Sequence, residues 1–208
     1  MDLEKLPIIG IMRGITEDKL IKTIEAAIRG GLKFVEITMN TDFAADLIKK
    51  AREEFKEKVL IGAGTVITVD ELNMAVDSGA QFIVAPNFNS IIAEICTKNE
   101  LPYFPGAITP QEIFNAWQAG VYMVKVFPVS AMGGPVYIKE LRGPYQKIKL
   151  LACGGVNPEN IREYFQSGIN AIAIGSQIFN PEWMKYGFFD KIEAAAGMFV
   201  DCVKQAIQ

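Results

Sequence analysis

The chain has 208 residues, of which 50% are hydrophobic and 22% are charged, and its net charge at pH 7 is −3. These values are typical of a globular protein with a sizeable core, and they exclude a disordered chain. There is no dense cluster of Lys and Arg, no apolar run of membrane-spanning length, and no signal-peptide layout in the opening MDLEKLPIIG. We therefore expect neither nucleic acid nor a membrane as a partner.

The rarest side chains narrow the chemistry further. Three cysteines, Cys96, Cys153 and Cys202, are too few and too scattered for a disulfide framework, which favours a reducing, cytoplasmic location. The chain has no histidine, so the commonest general base and the commonest metal ligand are both missing. This excludes zinc sites built on histidine and nucleophiles activated by histidine. Catalysis would have to come from Lys, Arg, Asp, Glu, Tyr, Cys or the backbone.

Eight short apolar runs recur along the chain, 20 to 26 residues apart, and begin at Ile8, Phe34, Val59, Phe82, Pro102, Tyr122, Ile148 and Ala171. The stretches between them are amphipathic with helical spacing, and two, Thr68–Glu71 and Thr109–Glu112, have the form of helix capping boxes. Continuously apolar strands that alternate with helices predict a parallel sheet. Eight such units predict an α/β protein, a compact (β/α)8 TIM barrel that forms a single domain over residues 1–208. A doubly wound open sheet is the alternative, because the sequence does not show closure.

An internal repeat relates four of the predicted strands. A small residue, a glycine and an apolar run recur in GGLKFVEIT, SGAQFIVAP, AGVYMVKVF and SGINAIAIG, where the glycine suits a left-handed helix cap. The residues five positions after each glycine are Glu36, Val84, Lys125 and Ala173. Because a barrel interior is filled by layers of four side chains from alternate strands, we predict that these four share one layer.

Lys125 and Glu36 are ionisable residues within otherwise apolar strands. A buried charge must be paired, shifted in pKa or pointed outward, so snorkelling side chains and a structural ion pair are the ordinary interpretations. The functional interpretation is imine chemistry. A lysine amine in a desolvated pocket can attack a ketone carbonyl, and the protonated Schiff base then accepts electrons from a breaking C–C bond. Glu36 is the best-placed candidate for the general acid/base.

Two glycine-containing loops follow the seventh and eighth predicted strands. Gly154 and Gly155 end the seventh strand and Gly175 and Ser176 end the eighth, and we expect a helix to open after each pair. Backbone N–H groups at helix N-termini attract phosphate, and the loops after strands 7 and 8 commonly bind it in TIM barrels. We therefore predict a phosphate site there, with ordinary turn glycines as the alternative.

Four further residues are candidates for substrate contacts. Arg13 follows the first strand at the carboxyl end of the barrel, where it can bind a carboxylate in bidentate fashion, although a plain surface arginine fits equally well. Thr65 can add a hydroxyl group to the same contact. Pro86 is expected to shape the site, and Cys153 to form part of the pocket wall rather than act as a nucleophile, because no base partner is evident.

At these residues the sequence resembles the 2-keto-3-deoxy-6-phosphogluconate (KDPG) aldolase family. The resemblance extends from about Pro7 to Ile178 and includes GGLKFVEIT, IGAGTV, GAQFIVAP, the K-x-F-P run at Lys125, KELRGPY and CGGVNPEN. It implies a (β/α)8 homotrimer, active in Entner–Doudoroff-type carbohydrate metabolism without metal or cofactor. The implied class I reaction reversibly cleaves a phosphorylated 2-keto-3-deoxy sugar acid to pyruvate and glyceraldehyde 3-phosphate through a Schiff base. Some members also cleave 4-hydroxy-2-oxoglutarate, which lacks the phosphate.

The resemblance also implies residue roles. Lys125 would form the imine and Glu36 would be the acid/base. The carboxylate end of the pyruvyl group would contact Arg13 and Thr65, and the phosphate would be held by Gly154, Gly155, Gly175 and Ser176.

This chain departs from the family pattern at two positions. Many members have Thr where this chain has Cys153, and some have Arg where it has Asn40, so carboxylate binding would depend more on Arg13. The runs IMRGIT, EITMN and FPVSAMGGPVYIKEL are closer to the branch that acts on the phosphogalactonate epimer, but the site residues do not decide between the two epimers.

Two other functions remain compatible with the residues. A phosphate-binding barrel isomerase or epimerase would use the glycine loops but would give Lys125 no covalent role. A non-catalytic barrel that binds a sugar acid or a protein partner would have the same composition.

Overall fold

The computed structural model describes residues 3–208. Its strands are β1 (Ile8–Met12), β2 (Phe34–Thr38), β3 (Leu60–Gly64), β4 (Ile83–Val84), β5 (Tyr103–Phe104), β6 (Gly106–Ala107), β7 (Val124–Val126), β8 (Leu150–Cys153) and β9 (Ala171–Ile174). Its helices are α1 (Glu17–Arg29), α2 (Ala44–Phe55), α3 (Val69–Asp77), α4 (Ser90–Lys98), α5 (Pro110–Gln118), α6 (Pro135–Arg142), α7 (Ile161–Gln166), α8 (Pro181–Tyr186) and α9 (Phe189–Ala206). A short 3₁₀ helix, Val129–Met132, follows β7.

The strands form one parallel sheet that closes on itself. The order of strands is β5-β4-β3-β2-β1-β9-β8-β7-β6, and its two ends, β5 and β6, are separated along the chain only by Pro105. Each predicted apolar run contains a strand, except that the fifth run is divided into two because proline has no N–H to donate to a ladder. The Pro105 carbonyl still accepts a hydrogen bond from the Lys125 N–H at 2.8 Å. The predicted barrel is confirmed, and the open sheet is wrong.

The strand ends come close together where the barrel closes. A Cβ atom on Gly106 would lie 2.9 Å from the Asn87 backbone nitrogen and closer still to the Pro86 carbonyl. Only glycine therefore permits this approach of β4 and β6. The four repeat glycines have φ between 75° and 94°, the left-handed backbone predicted for them. Those residues are Gly31, Gly79, Gly120 and Gly168.

The barrel has two hydrophobic layers, one outside the sheet against the helices and one inside it. The inner layer includes Phe82 and Phe104, whose rings meet edge to face with centroids 6.0 Å apart, and also Val84 and Ala173 of the repeat. The other two repeat residues, Glu36 and Lys125, are buried as well. All four residues related by the repeat are therefore buried, and their sharing of one layer stays a prediction.

The predicted capping boxes form as expected. Thr68 accepts a hydrogen bond from the Glu71 N–H at 3.1 Å, and the Glu71 carboxylate accepts one from the Thr68 N–H at 2.9 Å. Thr109 and Glu112 repeat this arrangement at the start of α5. Over residues 3–208, every helix is too short or too polar to cross a membrane.

Candidate active site

The barrel interior holds an amine and a carboxyl group. Lys125 on β7 is 6% exposed and Glu36 on β2 is 1% exposed, so neither side chain snorkels to bulk water. None of the ion pairs within residues 3–208 joins the two. The structure therefore supports neither of the two ordinary interpretations of these residues.

The Glu36 carboxyl is placed to hold a proton. Burial raises the pKa of Glu36 above its ordinary value, and the positive charges of Lys125 and Arg13 oppose this rise. Its Oε2 atom is buried and has no hydrogen-bond partner. A buried polar atom without a partner is costly, so Glu36 Oε2 is a candidate contact for a bound molecule.

Lys125 has an aromatic neighbour. Its Nζ lies 5.0 Å from the centroid of the Phe127 ring, within the range of a cation–π interaction. Phe127 also lines a cavity of about 270 Å³ together with Pro86 and Gly106. The predicted wall residue Pro86 thus lies beside the ring that contacts the lysine.

Arg13 is held by two neighbouring loops. Its Nη1 donates a hydrogen bond to the Asn40 side-chain oxygen, and its Nη2 donates one to Thr65 Oγ1 at 3.2 Å. Thr65 has φ of +57°, a left-handed conformation that is rare for a β-branched residue and that clusters at functional sites. Arg13 is an exposed residue, as in the surface-arginine alternative, but both ends of its guanidinium are bound and its charge acts on Glu36 and Cys153.

The predicted phosphate residues line one cavity. This cavity, of about 350 Å³, contains Arg13 and Cys153 together with Gly154, Gly155, Gly175 and Ser176. Gly154 and Gly155 have φ of 92° and 76°, so both adopt the left-handed backbone that glycine tolerates. Six of the eight residues that the sequence assigned to the carboxylate, the wall and the phosphate are thereby brought together, and the other two, Thr65 and Pro86, do not line this cavity.

The helix expected after Gly154 and Gly155 forms, beyond a turn in which the Ile161 N–H donates to the Asn157 carbonyl at 3.2 Å, whereas no helix opens at Gly175 and Ser176. Helix α7 begins only at Ile161, and α8 only at Pro181. After Gly175 the chain makes a single turn instead, in which the Ile178 and Phe179 N–H groups donate to the Gly175 carbonyl at 3.0 and 2.9 Å. A single turn of this kind leaves its first N–H groups without partners inside the turn, which still suits an anion.

Cys153 lies at the end of β8, between the interior and this cavity. Burial raises the pKa of its thiol, while the charges of Lys125 and Arg13 act in the opposite direction. A buried thiol that keeps its proton is a poor nucleophile, as expected from the sequence. Among residues 3–208, there is no group of three or more Cys, Asp or Glu side chains that could hold a metal ion.

Sequence reasoning missed three contributors to this site. Gly64 lies against the Glu36 carboxyl, and Phe127 lies against Lys125. Asn40 was noted only as a departure from the family pattern, whereas the structure shows it bound to Arg13. The single available signal was position, because each follows a strand end at the carboxyl face of the barrel, where barrel active sites form.

Together, the fold and the site define a parallel barrel suited to Schiff-base chemistry on an anionic carbonyl compound. It combines a buried lysine, a buried carboxyl whose pKa is raised by burial, an arginine bound by two side chains and a glycine-lined cavity.

Comparison with known proteins also indicates a barrel that carries out Schiff-base chemistry. The family model "KDPG and KHG aldolase" matches residues 1–195, and the chain belongs to this family. It is 33% identical to the 2-dehydro-3-deoxy-6-phosphogalactonate aldolase of Escherichia coli K12, covering 98% of both chains. It is 32% identical to a 2-dehydro-3-deoxy-phosphogluconate aldolase of Haemophilus influenzae, covering 97% of this chain and 95% of that protein. The resemblance found in the sequence is confirmed.

Solved structures agree in fold. The native KDPGal structure superposes with a TM-score of 0.92 at 33% identity, covering 98% of this chain and 97% of that one. The KDPG aldolase of Legionella pneumophila superposes with a TM-score of 0.86 at 28% identity, covering 92% of each chain. In that protein, pyruvate was captured at low pH as a covalent carbinolamine intermediate.

Proposed function

We propose that this chain is a class I aldolase that reversibly cleaves a 2-keto-3-deoxy-6-phospho sugar acid to pyruvate and glyceraldehyde 3-phosphate. The observation that carries the proposal is the burial of Lys125 and Glu36 in one barrel interior, with Glu36 Oε2 left without a partner. Family membership and the carbinolamine captured in the Legionella relative support it.

In the first half of the reaction, the free amine of Lys125 attacks the C2 carbonyl carbon and forms a carbinolamine. The carbinolamine hydroxyl takes up a proton from the medium and leaves as water, which yields a protonated Schiff base. Glu36, as the carboxylate, then removes the proton of the C4 hydroxyl while the C3–C4 bond breaks, and that electron pair moves to the iminium nitrogen. The aldehyde leaves, and an enamine of pyruvate remains on Lys125.

In the second half, Glu36 returns its proton to C3 of the enamine. Water then attacks the pyruvyl iminium, and its hydrolysis releases pyruvate and the lysine. One carboxyl must therefore act in turn as base and acid, which the raised pKa of Glu36 favours. Arg13 and Thr65 bind the C1 carboxylate, and the glycine-lined cavity binds the phosphate at C6.

The substrate class includes both phosphogluconate and phosphogalactonate epimers, which differ at one hydroxyl-bearing carbon. It extends to 4-hydroxy-2-oxoglutarate, which yields pyruvate and glyoxylate. That compound lacks the phosphate, so it forgoes the contacts of the glycine-lined cavity and we expect lower efficiency. A side-by-side assay of the two epimeric phosphorylated acids identifies the preferred one.

Trapping with borohydride tests the proposal. The protein is incubated with pyruvate and borohydride, and the reduced adduct is located by peptide mass mapping. We expect one adduct, on Lys125, in the wild type. The same adduct should form in the Lys149→Ala control, because Lys149, which pairs with Glu4, is not the proposed nucleophile. Absence of any lysine adduct would leave the isomerase or the non-catalytic barrel as the explanation, and an adduct elsewhere would reject Lys125.

The assembly and the compartment are further parts of the proposal. Large apolar side chains remain exposed, among them Phe43 at 79% and Val136 at 62%, which favours burial between copies in a homotrimer. Cys96, Cys153 and Cys202 are all free thiols, which suits the reducing cytoplasm, where Entner–Doudoroff-type sugar-acid cleavage would take place. Sedimentation equilibrium should give the mass of three chains; the mass of one or two would contradict the trimer.

A further inference from the structure

The side chain of Glu36 lies across the neighbouring strand β3. In the ladder between β2 and β3, Glu36 is paired with Gly62 and Thr38 with Gly64. The Glu36 carboxyl nevertheless lies against Gly64: a Cβ atom placed there would be 2.7 Å from Glu36 Cδ, 3.1 Å from its Cγ and closer still to Oε1. The side chain therefore extends toward the carboxyl end of the barrel, into the space that the missing side chain leaves.

The inner face of β3 contains two glycines for two different reasons. Leu60 packs against the interior cluster, and the next positions on the same face of the strand are Gly62 and Gly64. At Gly62 a Cβ atom would collide with the Phe82 ring, so that glycine makes room for the core. At Gly64 the colliding group is the Glu36 carboxyl. Neither glycine has a left-handed backbone, so only the space for a neighbour requires glycine at these positions.

Hydrogen bonds do not hold this carboxyl in place. Glu36 Oε2 has no partner, and the nearby Thr38 hydroxyl is bonded to that of Thr41 at 3.1 Å. Within residues 3–208, no ion pair includes Glu36. Besides the charges of Lys125 and Arg13, what remains to orient the group is the shape of the space around it.

We propose that Gly64 is a positioning residue for the acid/base: its missing side chain forms a slot that orients the Glu36 carboxyl and leaves Oε2 free for the substrate. This inference rests on the proposed function. A slot has an advantage over a hydrogen bond here. A hydrogen bond to one protonation state would favour that state, whereas a group that accepts and returns a proton must use both.

The change Gly64→Ala tests the slot. The added methyl should displace the flexible end of Glu36 without straining the backbone, so the protein should fold, as followed by circular dichroism. A displacement of about 1 Å can cost about 100-fold in rate, and we expect that loss in cleavage and in exchange of the pyruvate methyl protons with D₂O. Borohydride trapping of pyruvate on Lys125 should be retained, because the amine is untouched.

A matched control is Gly143→Ala. A Cβ atom there would meet only the Glu140 carbonyl oxygen, at 3.4 Å, on a helix end remote from the site. Cleavage and exchange should be unchanged in this variant.

A double-mutant cycle separates positioning from simple blocking of the substrate. If Gly64 acts through the carboxyl, Gly64→Ala should cost less than about twofold in a Glu36→Gln background. It should also cost less beside Glu36→Asp, whose carboxyl carbon takes the place of Glu36 Cγ, 3.1 Å from the added methyl, instead of that of Cδ at 2.7 Å. If the loss caused by Gly64→Ala multiplies with that of the Glu36 variant in both backgrounds, the slot is refuted. Full activity of the single variant Gly64→Ala would also refute it.

The outcomes also distinguish this inference from the function on which it rests. A wild type that neither traps pyruvate nor cleaves the keto acid would refute the aldolase itself. A wild type that does both, combined with multiplying losses in the cycle, would refute the slot alone.

Discussion

The two halves of the site are built in opposite ways. Lys125 and Glu36 extend from strands into the barrel interior, where both side chains are buried. Gly154, Gly155 and Gly175 instead offer backbone groups on loops at the rim, around an open cavity. The interior can change the reactivity of a functional group, because desolvation is strong there. The glycine loops at the rim affect only how tightly an anion binds. Substitutions in the two halves of the site should therefore have different effects on the kinetics.

The largest expected effect is that of Lys125→Ala. Removing the nucleophile should lower cleavage by more than about 10⁴-fold, because no other group in the interior can form the imine. The fold should survive, since the change removes a buried amine that makes no ion pair. An assay of glyceraldehyde 3-phosphate release checks the loss, and circular dichroism checks the fold. Turnover equal to that of the wild type would show that the interior is structural.

Glu36→Gln should lower cleavage by about 10²- to 10⁴-fold, the usual contribution of a general acid/base. Trapping of pyruvate at Lys125 should persist, since the amine remains. In the wild type, activity should fall as pH drops through the raised pKa of Glu36, because the cleavage step needs the carboxylate. A pH–rate profile measures this fall in activity at low pH. If the fall persists in Glu36→Gln, it comes from another group.

The same carboxyl should weaken the fold at neutral pH. A raised pKa means that the folded state binds the proton more tightly than the unfolded chain does. The free energy of unfolding should therefore fall as pH rises from the unfolded to the folded pKa of Glu36. Glu36→Gln should unfold at a higher temperature than the wild type at pH 7, and the gap should narrow in acid. Thermal unfolding across pH tests this, and a lower melting temperature of the variant at neutral pH would contradict it.

Gly155→Ala should affect the rim alone. The new methyl would fall 2.8 Å from Ser130 Oγ, and alanine would be strained at φ of 76°. Loss of a hydrogen bond to a charged phosphate predicts a drop in kcat/KM of about 10- to 100-fold for the phosphorylated acid. Turnover of 4-hydroxy-2-oxoglutarate should change little. An equal loss for both substrates would remove the phosphate role of this loop.

Phe127→Leu should have the smallest effect. Replacing the ring while keeping its apolar bulk removes a cation–π interaction with the iminium that develops on Lys125 Nζ, worth about 0.5 to 2 kcal/mol, so imine formation should slow by about 2- to 30-fold. Phe127→Tyr should retain the wild-type rate, since it keeps the ring. The borohydride trapping rate measures both, and a leucine variant as fast as the tyrosine variant would leave the ring without an electronic role.

Sequence reasoning was strongest where a pattern repeats along the chain. The spacing of apolar runs predicted the barrel, and one repeat placed Glu36 and Lys125 among buried positions. It was weakest in the loop after Gly175, where a helix was expected and the structure has a single turn. Turn geometry there depends on contacts with residues far along the chain, such as the hydrogen bond that the Gln177 side chain donates to the Val156 carbonyl.

The order of residues alone determined the alternation of strands and helices, the absence of histidine chemistry and the two ionisable residues in apolar strands. These features follow from local periodicity and composition. Only the tertiary structure decided that Glu36 lies over Gly64, that Asn40 holds Arg13, and that Phe127 lies beside Lys125. The reason is that each is a contact between side chains of different segments, and closure of the sheet, not spacing along the chain, sets the distance between them.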